Sequence, residues 1–205
     1  MSNRAPTLVT PAPAAQAAAL PGGPAAGPAL SFPPELLLAG QDVRVAFFDV
    51  DGVMTDGGIL FSDEGETLKR FHILDGLGLK LLQRAGIVPV VITGRDSRPL
   101  RRRLEALGVQ HVHYGTEEKL PAAQQSLAAL GFDWSQAAAM GDDWPDLPVL
   151  RRVALPVAPP HAHAEVRACA RHVTRAAAGQ GAAREFCDLL LVACGKYAQL
   201  LEAYR

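Results

Sequence analysis

Asp49 and Asp51 stand one residue apart at the end of the apolar run Val45, Ala46, Phe47, Phe48, Val50, and Gly52 follows them. Two carboxylates so close repel each other unless a cation or a shared proton lies between them, so the pair asks for a metal or for acid/base work. An apolar run of this kind suits a buried central strand, and in an open α/β sheet the carboxyl end of such a strand faces the ligand crevice. The plainer reading is a solvated Asp-Gly turn.

The pattern of an apolar strand running into chemistry-bearing residues recurs. Ile87 to Ile92 runs into Thr93-Gly94-Arg95-Asp96, where a hydroxyl, free N–H groups at a helix start and a guanidinium would suit an anion. Thr93 or Asp96 as a simple N-cap is the alternative. Lys119 falls at the start of a helix, where the helix dipole disfavours a cation, which implies an anionic partner. Ala137 to Met140 runs into Gly141-Asp142-Asp143-Trp144-Pro145-Asp146. As an isolated segment this is a solvated turn. If its strand neighbours the first, however, Asp142 joins Asp49 and Asp51 in the kind of site Mg²⁺ takes, with carboxylates from separate segments and room for waters and a phosphate. His161 and His163 have metal-like spacing, but no third ligand stands near them, so they read as structural or exposed.

Positioning these groups requires alternating strands and helices. After the first strand, Ile59 to Ser62 and Thr67 to Phe71 flank an acidic, glycine-containing turn, which predicts a β-hairpin flap. Helices are expected around Leu77 to Gln83, Arg98 to Leu107, Leu120 to Leu130, Val166 to Ala170 and Ala183 to Leu201. Glycines at 86, 108 and 131 close the first three of these. Arg98, Arg101, Arg102 and Arg103 read mainly as a solvated helix face. The fold class is therefore α/β: a Rossmann-like, doubly wound, mainly parallel sheet with helices on both faces, a hairpin flap after the first strand and no large cap domain. The chain has 205 residues and a net charge of −1, which excludes nucleic-acid or membrane-surface binding by bulk electrostatics. Residues 1–38, rich in Ala and Pro, predict a disordered tail ahead of one domain over 39–205. The prolines interrupt any secretory apolar core, and no run is long enough to span a bilayer, so a cytoplasmic protein is expected. The three cysteines, Cys169, Cys187 and Cys194, fit neither a disulfide framework nor a metal pair and read as core packing in a reducing compartment.

The order strand-DxDG, strand-TGR, helix-start Lys, strand-GDDxxD resembles the haloacid dehalogenase superfamily. Within it, DVDGVMTDGGILF, GETLKRFHILDGLGL, VVITGRDS, GDDWPDLPVL and GQGAAREFCDLLL resemble the family of 3-deoxy-D-manno-octulosonate-8-phosphate phosphatases, which serve lipopolysaccharide inner-core synthesis. The resemblance implies a Mg²⁺-dependent phosphatase assembled as a homotetramer whose flaps help to close neighbouring active sites. Asp49 would be the nucleophile, forming an aspartyl-phosphate, with Asp51 as general acid and then base. Thr93 and Lys119 would hold the phosphoryl oxygens. Asp49, Asp142 and the backbone carbonyl of Asp51 would hold Mg²⁺, and Asp143 and Asp146 would orient those ligands or Lys119. By resemblance Asp51, His72, Ile73, Leu74, Asp75, Gly76, Lys80, Arg95, Arg103 and Lys119 contact the substrate. This chain departs from the family in having His72 and Leu74 where Asn and Arg are common, and Ala178 where a glycine is usual. Two rival readings share much of the pattern: a phosphatase for a related sugar acid such as a nonulosonate 9-phosphate, and a non-catalytic phosphoacceptor module of the receiver type.

Overall fold

The structure, a computed structural model, describes residues 30–205; residues 1–29 of the tail expected over 1–38 lie outside the described residues. The described part begins earlier than the boundary expected at residue 38. Helix α1, Pro34–Gly40, carries proline at its first turn, and its Leu36 is buried in the main apolar cluster. Proline at that position gives up no hydrogen bond and presets the helical φ, so the prolines here start a helix.

Six strands form one sheet: β1 Val45–Phe48, β4 Val88–Ile92, β5 His111–His113, β6 Ala137–Met140, β7 Leu155–Ala158 and β8 His172–Val173. Their order is β5-β4-β1-β6-β7-β8, and every pairing is parallel. β1 sits in the centre, in register with Val88 to Val91 on one side and Ala137 to Met140 on the other. The chain builds outward from β1 through β4 to β5, then returns across β1 to lay down β6, β7 and β8. The crevice therefore opens at the carboxyl ends of β1, β4 and β6.

Period-two alternation sorts the strand side chains onto two faces. Ala46 and Phe48 pack with helices α2 Ile73–Ala85, α3 Arg98–Leu107 and α7 Ala182–Ala193. Val45 and Phe47 pack against α4 Lys119–Leu130, α5 Leu147–Leu150 and α6 Ala164–Cys169. Asp49 continues the parity of Val45 and Phe47, which turns its carboxylate toward α4.

The hairpin pairs β2 Leu60–Ser62 with β3 Gly65–Leu68 in its own two-stranded sheet, with a register shift between Leu60 and Phe61. It is the flap expected from the sequence.

Two helices depart from expectation. α2 starts at Ile73, capped by the His72 side chain, which accepts from the Leu74 N–H at 3.3 Å. The last predicted helix breaks after Ala193 and resumes as α8, Tyr197–Glu202. Gly195 adopts φ 71°, a left-handed conformation that glycine takes without a Cβ penalty. Among the described residues, no helix is long and apolar enough to cross a membrane. Of the cysteines, Cys187 is fully buried and Cys169 and Cys194 are half-buried.

Candidate active site

Asp49, Thr93 and Asp142 leave the sheet at the same edge, and Lys119 and Asp146 stand beside them. Asp49 is the first residue beyond β1, and its N–H donates to the Met140 carbonyl of β6 at 3.1 Å. Thr93 is the first beyond β4, and Asp142 is the second beyond β6. Lys119 opens α4, and Asp146 ends a short 3-10 turn that Asp143 caps. With Asp51, Gly94, Arg95 and Glu117 these residues line an open cleft of about 580 Å³. Gly52 is required beside it: its φ is 88°, and a Cβ there would run into the Asp142 carboxylate.

The buried Lys119 ammonium donates to Asp49 Oδ1 at 2.6 Å and to Asp146 Oδ1 at 2.7 Å. These are the anionic partners its helix-start position implied. The other Asp146 oxygen accepts from the Asp142 N–H at 3.0 Å and the Asp143 N–H at 3.3 Å. Asp146 thus ties the Asp142 loop to Lys119 with both of its oxygens.

Oxygens of Asp49, Asp142 and Asp146 all lie within 4.8 Å of one another. An octahedral Mg²⁺ with bonds of about 2.1 Å holds opposite oxygens about 4.2 Å apart, so this spread is compatible with one ion. The donor set is all oxygen, and three carboxylates face one ammonium, which leaves negative charge for a hard divalent cation to balance. Burial, and then repulsion from Asp49 and Asp146, pushes Asp142 up to about 8. Burial raises Asp49 to about 6 against the pull of Lys119. Burial opposes the charge on Lys119, yet Asp49 and Asp146 more than offset it and push its pKa up.

Two consequences of pH follow. Metal binding must expel protons from Asp142 and Asp49, so Mg²⁺ affinity should rise steeply between about pH 6 and 8, with proton uptake by buffer measurable in calorimetry. Both carboxyls titrate above their ordinary value of 3.8 in the folded chain, so without metal they stabilise the fold at low pH. That contribution is lost progressively as pH rises from the ordinary value of 3.8 through about 6 for Asp49 and about 8 for Asp142. In EDTA the Tm should fall over this window and saturating Mg²⁺ should flatten the slope; a Tm that rises with pH in EDTA would contradict the assignment.

Asp51 takes different company. Lys69, at the end of the flap, donates to Asp51 Oδ1 and lies 2.9 Å from Glu66 Oε1. Arg95 Nε is 3.8 Å from Asp51 Oδ2. The Asp51 carboxylate is therefore outside the trio that could grip an ion, and Asp146 stands within it. Thr93 Oγ1 accepts from the Arg95 N–H at 3.3 Å, which leaves the hydroxyl proton free to donate into the cleft.

Of the residues carried over as substrate contacts, Asp51, Arg95 and Lys119 line the cleft; His72, Ile73, Leu74, Asp75, Gly76, Lys80 and Arg103 do not. The latter gather at α2 and its neighbour α3. Asp75 is buried, and its Oδ1 accepts from the Arg184 N–H at the start of α7 at 2.8 Å; burial raises its pKa. Arg103 lies across Gly76 and donates to the His72 carbonyl at 3.2 Å. Ile73 and Leu74 are exposed, as is Lys80. His163 caps α6, and its Nδ1 also accepts from Trp144 Nε1 at 2.9 Å; His161 is exposed.

Sequence reasoning missed Lys69 and Glu66. The signal was present as two opposite charges three residues apart at the end of a flap beside the acid pair, but only the fold brings Lys69 against Asp51.

No family model matches the chain. A 3-deoxy-D-manno-octulosonate 8-phosphate phosphatase, KdsC, of Yersinia pestis is 40% identical over 162 residues, covering 79% of this chain and 87% of the relative. The crystal structure of a probable YrbI family phosphatase from Pseudomonas syringae superposes with a TM-score of 0.82 at 42% identity, over 84% of this chain and 98% of that one. That of a 3-deoxy-D-manno-octulosonate 8-phosphate phosphatase from Moraxella catarrhalis, in complex with magnesium, phosphate and KDO, gives 0.81 at 34% identity, over 83% and 98%.

Proposed function

The chain belongs to the 3-deoxy-D-manno-octulosonate 8-phosphate phosphatases of the haloacid dehalogenase superfamily, and from that membership we propose that it hydrolyses this sugar acid phosphate through an aspartyl-phosphate on Asp49. The observation that carries the reading is the convergence of Asp49, Lys119, Asp142 and Asp146 at the carboxyl edge of neighbouring strands.

Lys119 occupies Asp49 Oδ1, which leaves Oδ2 to attack phosphorus in line. The Thr93 hydroxyl and Lys119 hold phosphoryl oxygens as charge shifts toward the leaving group. Asp51 protonates the sugar oxygen as it departs and then takes a proton from the water that cleaves the aspartyl-phosphate. Asp49 and Asp142 would hold Mg²⁺, together with the backbone carbonyl of Asp51, while Asp146 and Asp143 orient the loop that carries Asp142. When bound, Mg²⁺ neutralises charge on the reacting carboxylate and the phosphoryl group.

The α2 residues carried over as substrate contacts do not line this chain's own cleft, and apolar side chains stand exposed on the flap and on α2. Phe61 is 69% exposed on the flap and Ile73 is 79% exposed on α2. A patch of this kind supports an assembly, and we place the chain in a cytoplasmic homotetramer in which flap or α2 residues of one copy complete the cleft of another. The product sugar acid would enter lipopolysaccharide inner-core synthesis.

A panel of phosphorylated sugar acids tests the substrate. Phosphate release from 3-deoxy-D-manno-octulosonate 8-phosphate should exceed that from a nonulosonate 9-phosphate by at least about tenfold in kcat/KM, the scale of a few altered pocket contacts, and should cease in EDTA. Faster turnover of the nonulosonate would reassign the substrate. Sedimentation of the purified chain as a monomer would remove the assembly.

A further inference from the structure

We propose that Lys69, on the flap of the same chain, is a positioning residue for Asp51: it fixes the carboxylate at the orientation in which Asp51 passes a proton to the leaving oxygen and takes one from water. The inference rests on the reading of Asp51 as acid and base.

The Lys69 side chain is only 3% exposed, which is costly for an ammonium unless anions surround it. Two do, Asp51 Oδ1 and Glu66 Oε1. Glu66 is in turn held from the far side by the Ser97 hydroxyl, which donates to Oε1 at 3.1 Å just ahead of α3. Arg95 lies 3.8 Å from Asp51 Oδ2 and 3.9 Å from Glu66 Oε2. Two cations and two carboxylates thus balance in one cluster that joins three loops: the turn after β1, the segment after β4 and the return strand of the flap.

The division of labour inside the cluster singles out Lys69. Asp51 Oδ2 is buried and, among the described residues, has no hydrogen-bond partner, so it is the oxygen not already committed to a contact. Oδ1 is the one pinned, and among the described residues the side chain pinning it within hydrogen-bond range is Lys69. Arg95 is 43% exposed and too distant to fix a rotamer. An aspartate side chain otherwise rotates about two bonds, and a proton donor that strays by an ångström loses much of its rate. The register shift between Leu60 and Phe61 falls in the strand paired with the one that leads to Lys69, as bulges beside active sites re-aim side chains.

Leaving-group chemistry separates positioning from a structural role. A sugar alkoxide must be protonated to leave, whereas 4-nitrophenolate leaves without a proton; both reactions then need Asp51 to activate water. With 3-deoxy-D-manno-octulosonate 8-phosphate, Lys69→Met should lower kcat about 10²-fold, the lower end of a general acid–base contribution, with KM changed less than about threefold. With 4-nitrophenyl phosphate the same variant should release one equivalent of nitrophenolate per site in a rapid burst and then stall. Lys69→Arg should recover most of the steady-state rate, since a guanidinium can still grip Oδ1.

Asp51→Asn is the reference. If it shows neither burst nor stall, the acid/base reading of Asp51 fails. If it bursts and stalls but Lys69→Met turns over both substrates like the parent, loses burst and turnover together, or raises KM at constant kcat, the assignment of Lys69 is overturned.

Discussion

Replacing Asp49 by asparagine should lower phosphate release by more than about 10⁴-fold, the scale of removing a nucleophile, while leaving the folded chain at least as stable in EDTA as the parent. The amide is isosteric and its oxygen can still accept from Lys119, so the cluster keeps its shape. What it lacks is a lone pair able to form and then release a bond to phosphorus. Stability should hold or rise because Asp49 is a buried carboxylate whose burial, opposed by Lys119, raises its pKa to about 6. At pH 7.5 its charge opposes folding when no cation is bound, and asparagine removes that charge. Thermal melts in EDTA and a phosphate assay under the same buffer check both halves. Turnover by the variant near that of the parent would eliminate Asp49 as the attacking group.

The second large effect is expected at Lys119. Lys119→Met keeps much of the buried stem and deletes the ammonium that bridges Asp49 and Asp146 beside Asp142. Breaking a buried ion pair by removing one partner costs about 3–5 kcal/mol, less here because carboxyls freed of Lys119 can take up protons. In EDTA the Tm should therefore drop by several degrees. Added Mg²⁺ should raise the Tm of the variant more than that of the parent, since the ion would then balance charge that Lys119 no longer meets. kcat should still fall about 10²- to 10³-fold at saturating Mg²⁺, because a donor aimed at the developing phosphoryl charge is gone and Asp49 Oδ1 is released to swing. Equal Mg²⁺ stabilisation of both proteins would count against a shared site for the ammonium and the ion.

The elements that carry the chemistry were legible before any coordinate. Strand ends, glycine stops and the DxDG, TGR and GDDxxD segments are local, and local pattern predicts them: a buried parallel strand reads as an uninterrupted apolar run, and a helix that ends at glycine announces its last turn. The errors were local too. The proline-rich stretch conceals α1 because its prolines sit where a helix tolerates them, and the apolar pattern continues past Gly195, whose left-handed φ stops the helix.

What sequence could not decide was which side chain meets which. Lys119 between Asp49 and Asp146 joins residues 70 and 27 positions apart, and Lys69 reaches Asp51 across a hairpin. Asp146 rather than Asp51 completes the carboxylate trio because a 3-10 turn folds its oxygens back onto the loop after β6, a fact of backbone path that spacing does not encode. Asp75 spends one oxygen on the N–H of Arg184, and Gly76 makes way for Arg103, so those residues lock helices together within one chain. Sequence by itself determined the inventory and the strand ends that carry it, because apolar periodicity and turn chemistry act over a few residues. The tertiary structure decided the pairing of charges, because electrostatic partnership depends on distance through space and on burial, which only the packed sheet and its crossing connections set.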